Sequence, residues 1–590
     1  MYAEQLEQQV LSGICNDTKT EAQLKEWEYY DRLHHEKYRD THQSRHNHHC
    51  TLAKNLATNA DHYMKLLPIL QSNRFLPAGR IQAALGATER EVSPFNCSVS
   101  QPVGDSIDSI YNALTNAAKI LRLGTGIGYN FSSIRPFRDL VVKLQSHASG
   151  PISYMGLYDC SAKLIASAGH RRGAQMGIMN ISHPDIEAFI DAKMVKGQLE
   201  SFNISVGITD NFMEAVRNND NWNLVFNGKV YKTLSARYLW DKILKNAYES
   251  AEPGVVFLDT MNKQNNLFYC EEIEATNPCS EQPLPPYGLC TLGSFNLVDY
   301  IYEGGQGWTF NVDRFKHDIS VVVEAYDNIF DNALYAIPEH RIDALNKRRI
   351  GLGLTGIANA IEMMVGKPSY GEPQFNRTLN IIAKMLQDEA YRASVKLAKE
   401  RGPFPLFDPI QYLQSPYIKN LDADIQRDIE LHGIRNSHLI SYAPCGTISQ
   451  IAGNISSGVE PVFYHTLSRS VFMKDGKEQL TLTDYVYREF GFKGKTLEEC
   501  TVEQHMAVGE ICQRYCDSAV SKTVNVAPNC TYEEYKGIFE KAYELGMKGI
   551  TVYRPTELRG AVIVKAEDNE QITNTSELNT SSCASGACER

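Results

Sequence analysis

The chain has 590 residues, 43% of them hydrophobic, with 59 lysines and arginines against 70 acids and a net charge of −11. Such a length can bury a large core, and the acidic balance excludes a general nucleic-acid surface while leaving room for a locally basic pocket. No run approaches the roughly 18 apolar residues of a membrane span, and the first residues carry no targeting pattern, so a cytoplasmic protein is expected. Its 14 cysteines include no CxxC, so they are expected to be thiols that pair only for chemistry, and no metal site is expected.

In chain order, residues 1–74 read as a helical region, from the interleaved charged and apolar residues of EAQLKEWEYYDRL and ATNADHYMKLLPIL. The histidine-rich HHEKYRDTHQSRHNHHC within it is expected on a solvated helix face. Its Asp40-x-His42 resembles one cobalamin-binding motif, but Arg45 replaces the glycine which that motif needs. Residues 75–565 mix β-rich runs (GVVFL, KGITVY) with amphipathic helices (SARYLWDKILKNAYES, YEEYKGIFEKAYELG), the signature of an α/β body. Within it, GTGIG at 124–128 lacks the full dinucleotide fingerprint. GKT at 494–496 is no P-loop, because Glu489 stands where the first glycine belongs. Cys512 and Cys516, one helical turn apart, read as core cysteines.

From residue 566 the sequence is almost wholly polar and reads as a mobile tail to residue 590 carrying Cys583 and Cys588. The 17 residues from Ala566 to Cys583 reach roughly 23 Å as a random coil, against a radius of gyration of about 25 Å for a body this size. A dithiol on such a tether is placed to visit a central site.

The stretch Asn277-Pro278-Cys279-Ser280-Glu281 leads into a proline-rich EQPLPPYG and a second cysteine, Cys290. The prolines exclude a regular helix or central strand, so Cys279 belongs on a stiff loop able to project its thiol into a cavity. Glu281 is a candidate general base and Asn277 a candidate hydroxyl-orienting group. On the residues alone, functional and structural readings of this loop stand even.

The longer run TNPCSEQPLPPYGLCTLGSFNL resembles the finger-loop motif of ribonucleotide reductases. FLPAGR, FNCSVSQPVGDSIDSI, LGTGIGYNFSSIRP, GHRRGAQMGIMNISHPDIEAFIDAK, RRIGLGLTGIANAI, APCGTISQIAGNISSGVEPVF and GMKGITVYR follow that family's order from about residue 75 to 555. The resemblance implies a ten-stranded α/β barrel of two five-stranded halves, with Cys279 on a loop through its centre. It implies that Cys279 becomes a thiyl radical that abstracts the ribose 3′ hydrogen, that Glu281 removes the 3′-hydroxyl proton and that Asn277 holds the sugar. Cys97 and Cys290 would be the reducing pair, since a deoxygenation consumes the two electrons that two thiols yield on forming a disulfide. Cys583 and Cys588 resemble the family's shuttle dithiol, recharged by thioredoxin or glutaredoxin.

Pro444, Gly446, Thr447 and Ser449 fall in a segment similar to the substrate phosphate loop, with Cys445 where relatives usually carry threonine, and Gly128 is placed at the substrate as well. Asp105 and Arg135 resemble the pocket for a dNTP or ATP specificity effector. Arg171, Arg172 and Gln175 resemble the loop that relays effector identity. Ribonucleoside di- or triphosphates are the implied substrates, and a homodimer is a possible assembly.

The radical source separates the family's classes. A single tyrosine, in Thr551-Val552-Tyr553-Arg554, stands where two-component reductases carry two. NPCSEQPL, RRGAQMG and TVYR resemble the adenosylcobalamin-dependent class, although PTELRG departs from its usual turn after Tyr553. The alternative is the catalytic subunit of a two-component enzyme with a separate radical-generating subunit. A glycyl-radical reductase lacks its C-terminal loop here, and a catalytically dead nucleotide-binding relative would not need the full cysteine set. The N-terminal region does not resemble the ATP cone that switches overall activity in many relatives.

Overall fold

The computed structural model describes residues 21–165, 174–195, 197–305, 307–473, 476–555 and 564–565. Three helices come first, α1 (Glu21–Tyr38), α2 (Arg45–Leu56) and α3 (Ala60–Gln71), as the periodicity predicts. Ser44 and Asn59 cap α2 and α3, each side chain accepting from a backbone N–H of the first turn.

The body is a mixed α/β structure built on one large sheet of ten strands. These are β1 (Phe75–Pro77), β2 (Cys97–Val99), β3 (Gly126–Asn130), β4 (Gln175–Asn180), β5 (Phe202–Ile208), β6 (Gly254–Phe257), β7 (Leu289–Asn296), β8 (Ile350–Thr355), β9 (Thr523–Asn525) and β10 (Gly549–Tyr553). Strands β2 to β6 run parallel in chain order. Their crossovers are the right length for βαβ units. The Ser235-capped helix Ala236–Ser250, for example, links β5 to β6. As befits parallel strands covered on both faces, β4, β5 and β6 are almost wholly buried.

A second parallel set meets the first with opposite polarity at two seams. At one seam β10 lies antiparallel to β6, with Val255 opposite Ile550, so the two β-rich runs singled out in the sequence are neighbours. At the other β7 lies antiparallel to β2. Within the second set, β9 is parallel to β10 and β8 to β7. Between β8 and the chain leading into β9 lie two parallel bridges, Leu352 with Ile440 and Tyr442 with Val520. The backbone bonds Leu352 N to Leu439 O (2.8 Å), Ser441 N to Leu352 O (3.0 Å) and Ser521 N to Tyr442 O (2.9 Å) support them. Each set has its own core, one around Tyr326, Phe75 and Phe295, the other around Trp240, Phe202 and Tyr129.

Two further helices matter for the site, α4 (Gly79–Leu85) after β1 and α5 (Gly446–Ile451) in the second half. The N-terminal helices pack behind α5: Tyr29 Oη bonds Gln450 Oε1 at 3.3 Å, and Arg45 Nη2 donates to the Ile451 carbonyl at 2.9 Å. The expected solvated histidine face is not what forms. His34, His48 and His49 are buried between α1, α2 and α4, because α2 turns the apolar face of its second half, Leu52, Ala53 and Leu56, inward and carries His48 and His49 with it. Of the histidines in the stretch only His42 is exposed. Asp40 accepts from the backbone N–H of Thr88 and Glu89 (2.7 and 3.1 Å), a structural cap. Among the described residues no helix is long and apolar enough to cross a membrane.

Candidate active site

Residues 277–282 form the tip of a small hairpin whose arms, Ala275–Thr276 and Pro283–Leu284, pair antiparallel. Asn277 N bonds Gln282 O (3.1 Å), and Ser280 N bonds Asn277 O (3.1 Å), closing a turn with Pro278 second and Cys279 third. Ser280 follows with φ +65°, the left-handed residue that commonly completes such a hairpin. This fixes the tip, half-buried at Cys279 and Ser280 and fully buried on either side.

The tip is held by both halves of the sheet. Asn203 Nδ2, on β5, donates to the Pro278 carbonyl at 2.8 Å. The Glu281 carbonyl accepts from Ser441 Oγ and Ala519 N, both at 3.0 Å, from the second set. On β3, a Cβ at Gly128 would sit 1.8 Å from the Thr276 carbonyl oxygen. Gly128 therefore lets the hairpin lie against the sheet, and it does not line the cleft at the Ala443–Gly446 turn described next.

Cys279 borders two clefts. The first, about 520 Å³, is lined by Asn96, Cys97, Cys279, Glu281, Ser294 and the Ala443–Gly446 turn, with Ile448 beyond. The second, about 680 Å³, lies on the other side, against Asn203, Ser205, Glu252, Gly254, Lys522 and Thr551. Cys97 and Glu281 line the first, while Asn277 and Cys290 stand behind its wall, each against Cys97. Asn277 Nδ2 donates to Cys97 Sγ at 3.0 Å, and Cys97 Sγ lies 3.9 Å from Glu281 Oε1. Asn277 Oδ1 accepts from Gln282 N at 2.9 Å, which locks the amide.

Cys97 and Cys290 are register partners across β2 and β7. Antiparallel partners hold their Cα atoms about 4.5–5.5 Å apart, inside the span a disulfide bridges. Burial, then the Cys97 contact and the nearby Glu281 charge, push the Cys290 thiol well above the usual range, so it stays protonated at neutral pH.

The turn before α5 brings Pro444 and Gly446 to the cleft, while Thr447 and Ser449 are buried and Ser449 Oγ donates to the Gly446 carbonyl (3.0 Å). Cys445 is fully buried with its sulfur 3.2 Å from Ser294 Oγ. Asp105 and Arg135 form an ion pair at 2.8 Å, reinforced by Arg135 N on Asp105 Oδ1 at 3.0 Å, away from this cleft. Gln175 is committed inside the sheet: Tyr129 Oη donates to its Oε1 (2.9 Å) and its Nε2 to Ser201 Oγ (3.1 Å). Arg171, Arg172, Cys583 and Cys588 lie outside the described residues.

The sequence reading missed Asn96, whose buried Oδ1 has no partner among the described residues, and Ser294, both in the first cleft. A polar residue directly before Cys97 and a serine inside an apolar strand were the available signals. It also missed the wall of the second cleft, where Lys522 and Glu460 form a buried ion pair.

A thiol bordering two clefts, beside two cysteines in register on opposed strands, is an arrangement capable of dithiol redox chemistry in an α/β body. The chain belongs to the ribonucleotide reductase family: residues 95–491 match the model of the ribonucleotide reductase barrel domain. It is 35% identical to a vitamin B12-dependent ribonucleoside-diphosphate reductase of Mycobacterium tuberculosis over 83% of this chain and 72% of that protein. A reductase of the same name from Thermoplasma acidophilum is 34% identical over 84% of this chain and 66% of its own length. A ribonucleoside-diphosphate reductase subunit alpha of Chlamydia muridarum is more distant, 25% identical over 68% of this chain and 43% of that protein.

Proposed function

We propose that the chain reduces ribonucleotides to 2′-deoxyribonucleotides by thiyl-radical chemistry at Cys279, with adenosylcobalamin as the radical source. The observation that carries the reading is the placement of Cys279 on the wall shared by two clefts, with Cys97 and Cys290 in register beside one of them. The substrate belongs in the first cleft, its phosphate at the Pro444–Gly446 turn, where the leading N–H groups of α5 face an anion.

There Cys279 takes the 3′ hydrogen, Glu281 accepts the 3′-hydroxyl proton and Asn277 orients the sugar. The 2′-hydroxyl leaves as water with a proton from the Cys97–Cys290 pair, whose two thiols supply two electrons and two hydrogens and end as a disulfide, and Cys279 and Glu281 then return the 3′ hydrogen and proton to the sugar. The raised Cys290 thiol suits it to hold its proton until that step.

The second cleft fits the adenosyl end of the cofactor. A Cβ at Gly254 would meet Ser205 Oγ at 2.9 Å, so the missing side chain keeps open a cradle lined by the hydroxyls of Ser205 and Thr551 and the amide of Asn203. When bound, adenosylcobalamin supplies a homolytically labile bond as the origin of the unpaired electron. The two-component alternative is disfavoured by the names of the more similar relatives and by the single Tyr553.

The same reading extends to architecture and partners. The bridges at Leu352–Ile440 and Tyr442–Val520 support closure of the sheet as a ten-stranded barrel of two five-stranded halves. Residues 75–565 would be the catalytic domain, 1–74 a helical brace behind α5, and 566–590 the tail that carries the Cys583–Cys588 shuttle to thioredoxin or glutaredoxin. Asp105 and Arg135, with Arg171, Arg172 and Gln175, would serve a dNTP effector, in a cytoplasmic enzyme able to form a homodimer.

The test is incubation of the purified chain with a ribonucleoside diphosphate, dithiothreitol and adenosylcobalamin, with no other protein. Cobalamin-dependent product is expected, and Cys279→Ser should bring turnover to background while nucleotide binding survives. Product only on adding a ferritin-like radical subunit would overturn the cofactor assignment.

A further inference from the structure

The helical region ahead of the catalytic body holds a cluster that the reductase chemistry does not use. His34 on α1 and His48 and His49 on α2 are buried, and one ring nitrogen of each lies within 4.8 Å of the other two. The rings of His34 and His48 meet edge to face at 4.8 Å between centroids, and that of His49 lies 5.8 and 5.9 Å from them. Packing of aromatic rings would account for the contact alone. It does not account for the hydrogen bonding.

Gln82, on α4, fixes the tautomers of two of the rings. Its Nε2 donates to the Pro77 carbonyl at 2.7 Å, which turns Oε1 toward His34 Nε2 at 3.2 Å. Its backbone carbonyl faces His48 Nε2 at 3.1 Å. Both partners are acceptors, so both Nε2 atoms carry hydrogens and both Nδ1 atoms keep a lone pair. Those two Nδ1 atoms are buried and have no hydrogen-bond partner among the described residues. Buried polar atoms are seldom left so, and two orphaned acceptors within one cluster of three histidines call for a shared electrophile. A histidine that gives one N–H to a carbonyl and presents the other nitrogen bare is the usual arrangement of a metal ligand.

We propose that His34, His48 and His49 form a buried transition-metal site of the zinc class that ties α1 to α2. Three imidazoles suit zinc and its neighbours in the first row and do not suit magnesium or calcium, which take oxygen. Nitrogens about 2.0–2.1 Å from a tetrahedral ion lie roughly 3.3–3.4 Å apart, so the rings need only rotate inward from their present separation.

Burial keeps all three imidazoles neutral, with His48 pushed down to about 4, which is the protonation state a metal requires. Arg39 and Arg45 act on all three rings; Arg39 is paired with Asp31 at 2.7 Å, and the Asp40 carboxylate opposes both arginines at His48. His49 is the least buried of the three. Because Tyr29 and Arg45, on the same two helices, brace Gln450 and Ile451 of α5, a metal here stiffens the support of the substrate-side turn.

The test uses the full chain, stripped with a chelator and titrated with Zn²⁺ alone. Uptake of about one equivalent with a rise in the thermal midpoint is expected, lost in His48→Ala and in His34→Ala and kept in His42→Ala, the exposed histidine of the same stretch. Failure to bind zinc, or unchanged uptake in His48→Ala, overturns the site. Since those variants can be compromised in folding, Co²⁺ is also added to the unaltered stripped chain. Intense visible bands of a tetrahedral nitrogen site without thiolate charge transfer support the proposal. A thiolate charge-transfer band would move the metal to cysteines and defeat it, as would the weak spectrum of an octahedral ion.

Discussion

Cys97 and Cys290 face each other across β2 and β7, whereas Cys512 and Cys516 sit four residues apart where the helix Val502–Arg514 gives way to the chain before β9. All four are buried, and burial pushes the thiols of Cys290, Cys512 and Cys516 above their ordinary range. What differs is surroundings. Cys97 opens on the substrate-side cleft beside Asn277 and Glu281, while Cys516 Sγ donates into the Ile440 and Ala519 carbonyls at 3.2 and 3.3 Å, inside the large core. Burial and a raised thiol are common to both pairs, so under the proposed function it is strand register and access to the first cleft that set the redox pair apart.

The sharpest way to break this contrast is to remove one sulfur from the first pair. Cys97→Ser or Cys290→Ser is expected to abolish multiple turnover with any reductant while nucleotide binding persists, checked by product formed per chain over time. Sustained turnover in either variant would end the reading of that pair as the electron source. Next in size, Glu281→Gln keeps the shape of the cleft but removes the base. Turnover should fall about 10²–10⁴-fold with little change in KM.

The same contrast shows what a sequence carries. The loop at 277–290 was legible because its signal is local: prolines, one turn and a fixed order of Asn, Cys and Glu specify the tip wherever it is placed. The β-rich runs and amphipathic helices, Tyr532–Glu544 among them, were legible for the same reason. The opposition of Cys97 to Cys290, 193 positions apart, came only through family resemblance, because register between distant strands has no local signature. His34, His48 and His49 were misjudged as solvated because their burial depends on α4, which supplies Gln82 from a separate part of the chain. The second cleft was invisible for a like reason, its walls coming from β5, β6, β10 and the segment before β9.

A smaller effect tests the departure at Cys445. Its thiol lies beside Ser294, and if the turn holds phosphate as proposed, a threonine there, as the family resemblance implies, would add one hydroxyl. A hydrogen bond to a charged group contributes about 1.5–3 kcal/mol. Cys445→Thr should therefore lower the KM for nucleotide by about tenfold or more at similar kcat, measured by initial rates. An unchanged KM would mean that the turn binds phosphate through its N–H groups alone.

The smallest effect on catalysis belongs to the second cysteine pair, and it completes the comparison. Cys512 lies in the core that also holds Tyr442 and Tyr370, so Cys512→Ala removes one sulfur's packing and leaves a small void. A cost of about 1 kcal/mol is expected, read as a modest fall in the thermal midpoint, with turnover per folded chain unchanged. Iodoacetamide should label Cys512 and Cys516 of the native chain far more slowly than the exposed Cys160, because neither thiol ionises readily nor faces solvent. If Cys512→Ala instead lowered turnover without lowering stability, the core pair would be exchanging electrons with the site. Geometry at β2 and β7 would then no longer be what sets the redox pair apart.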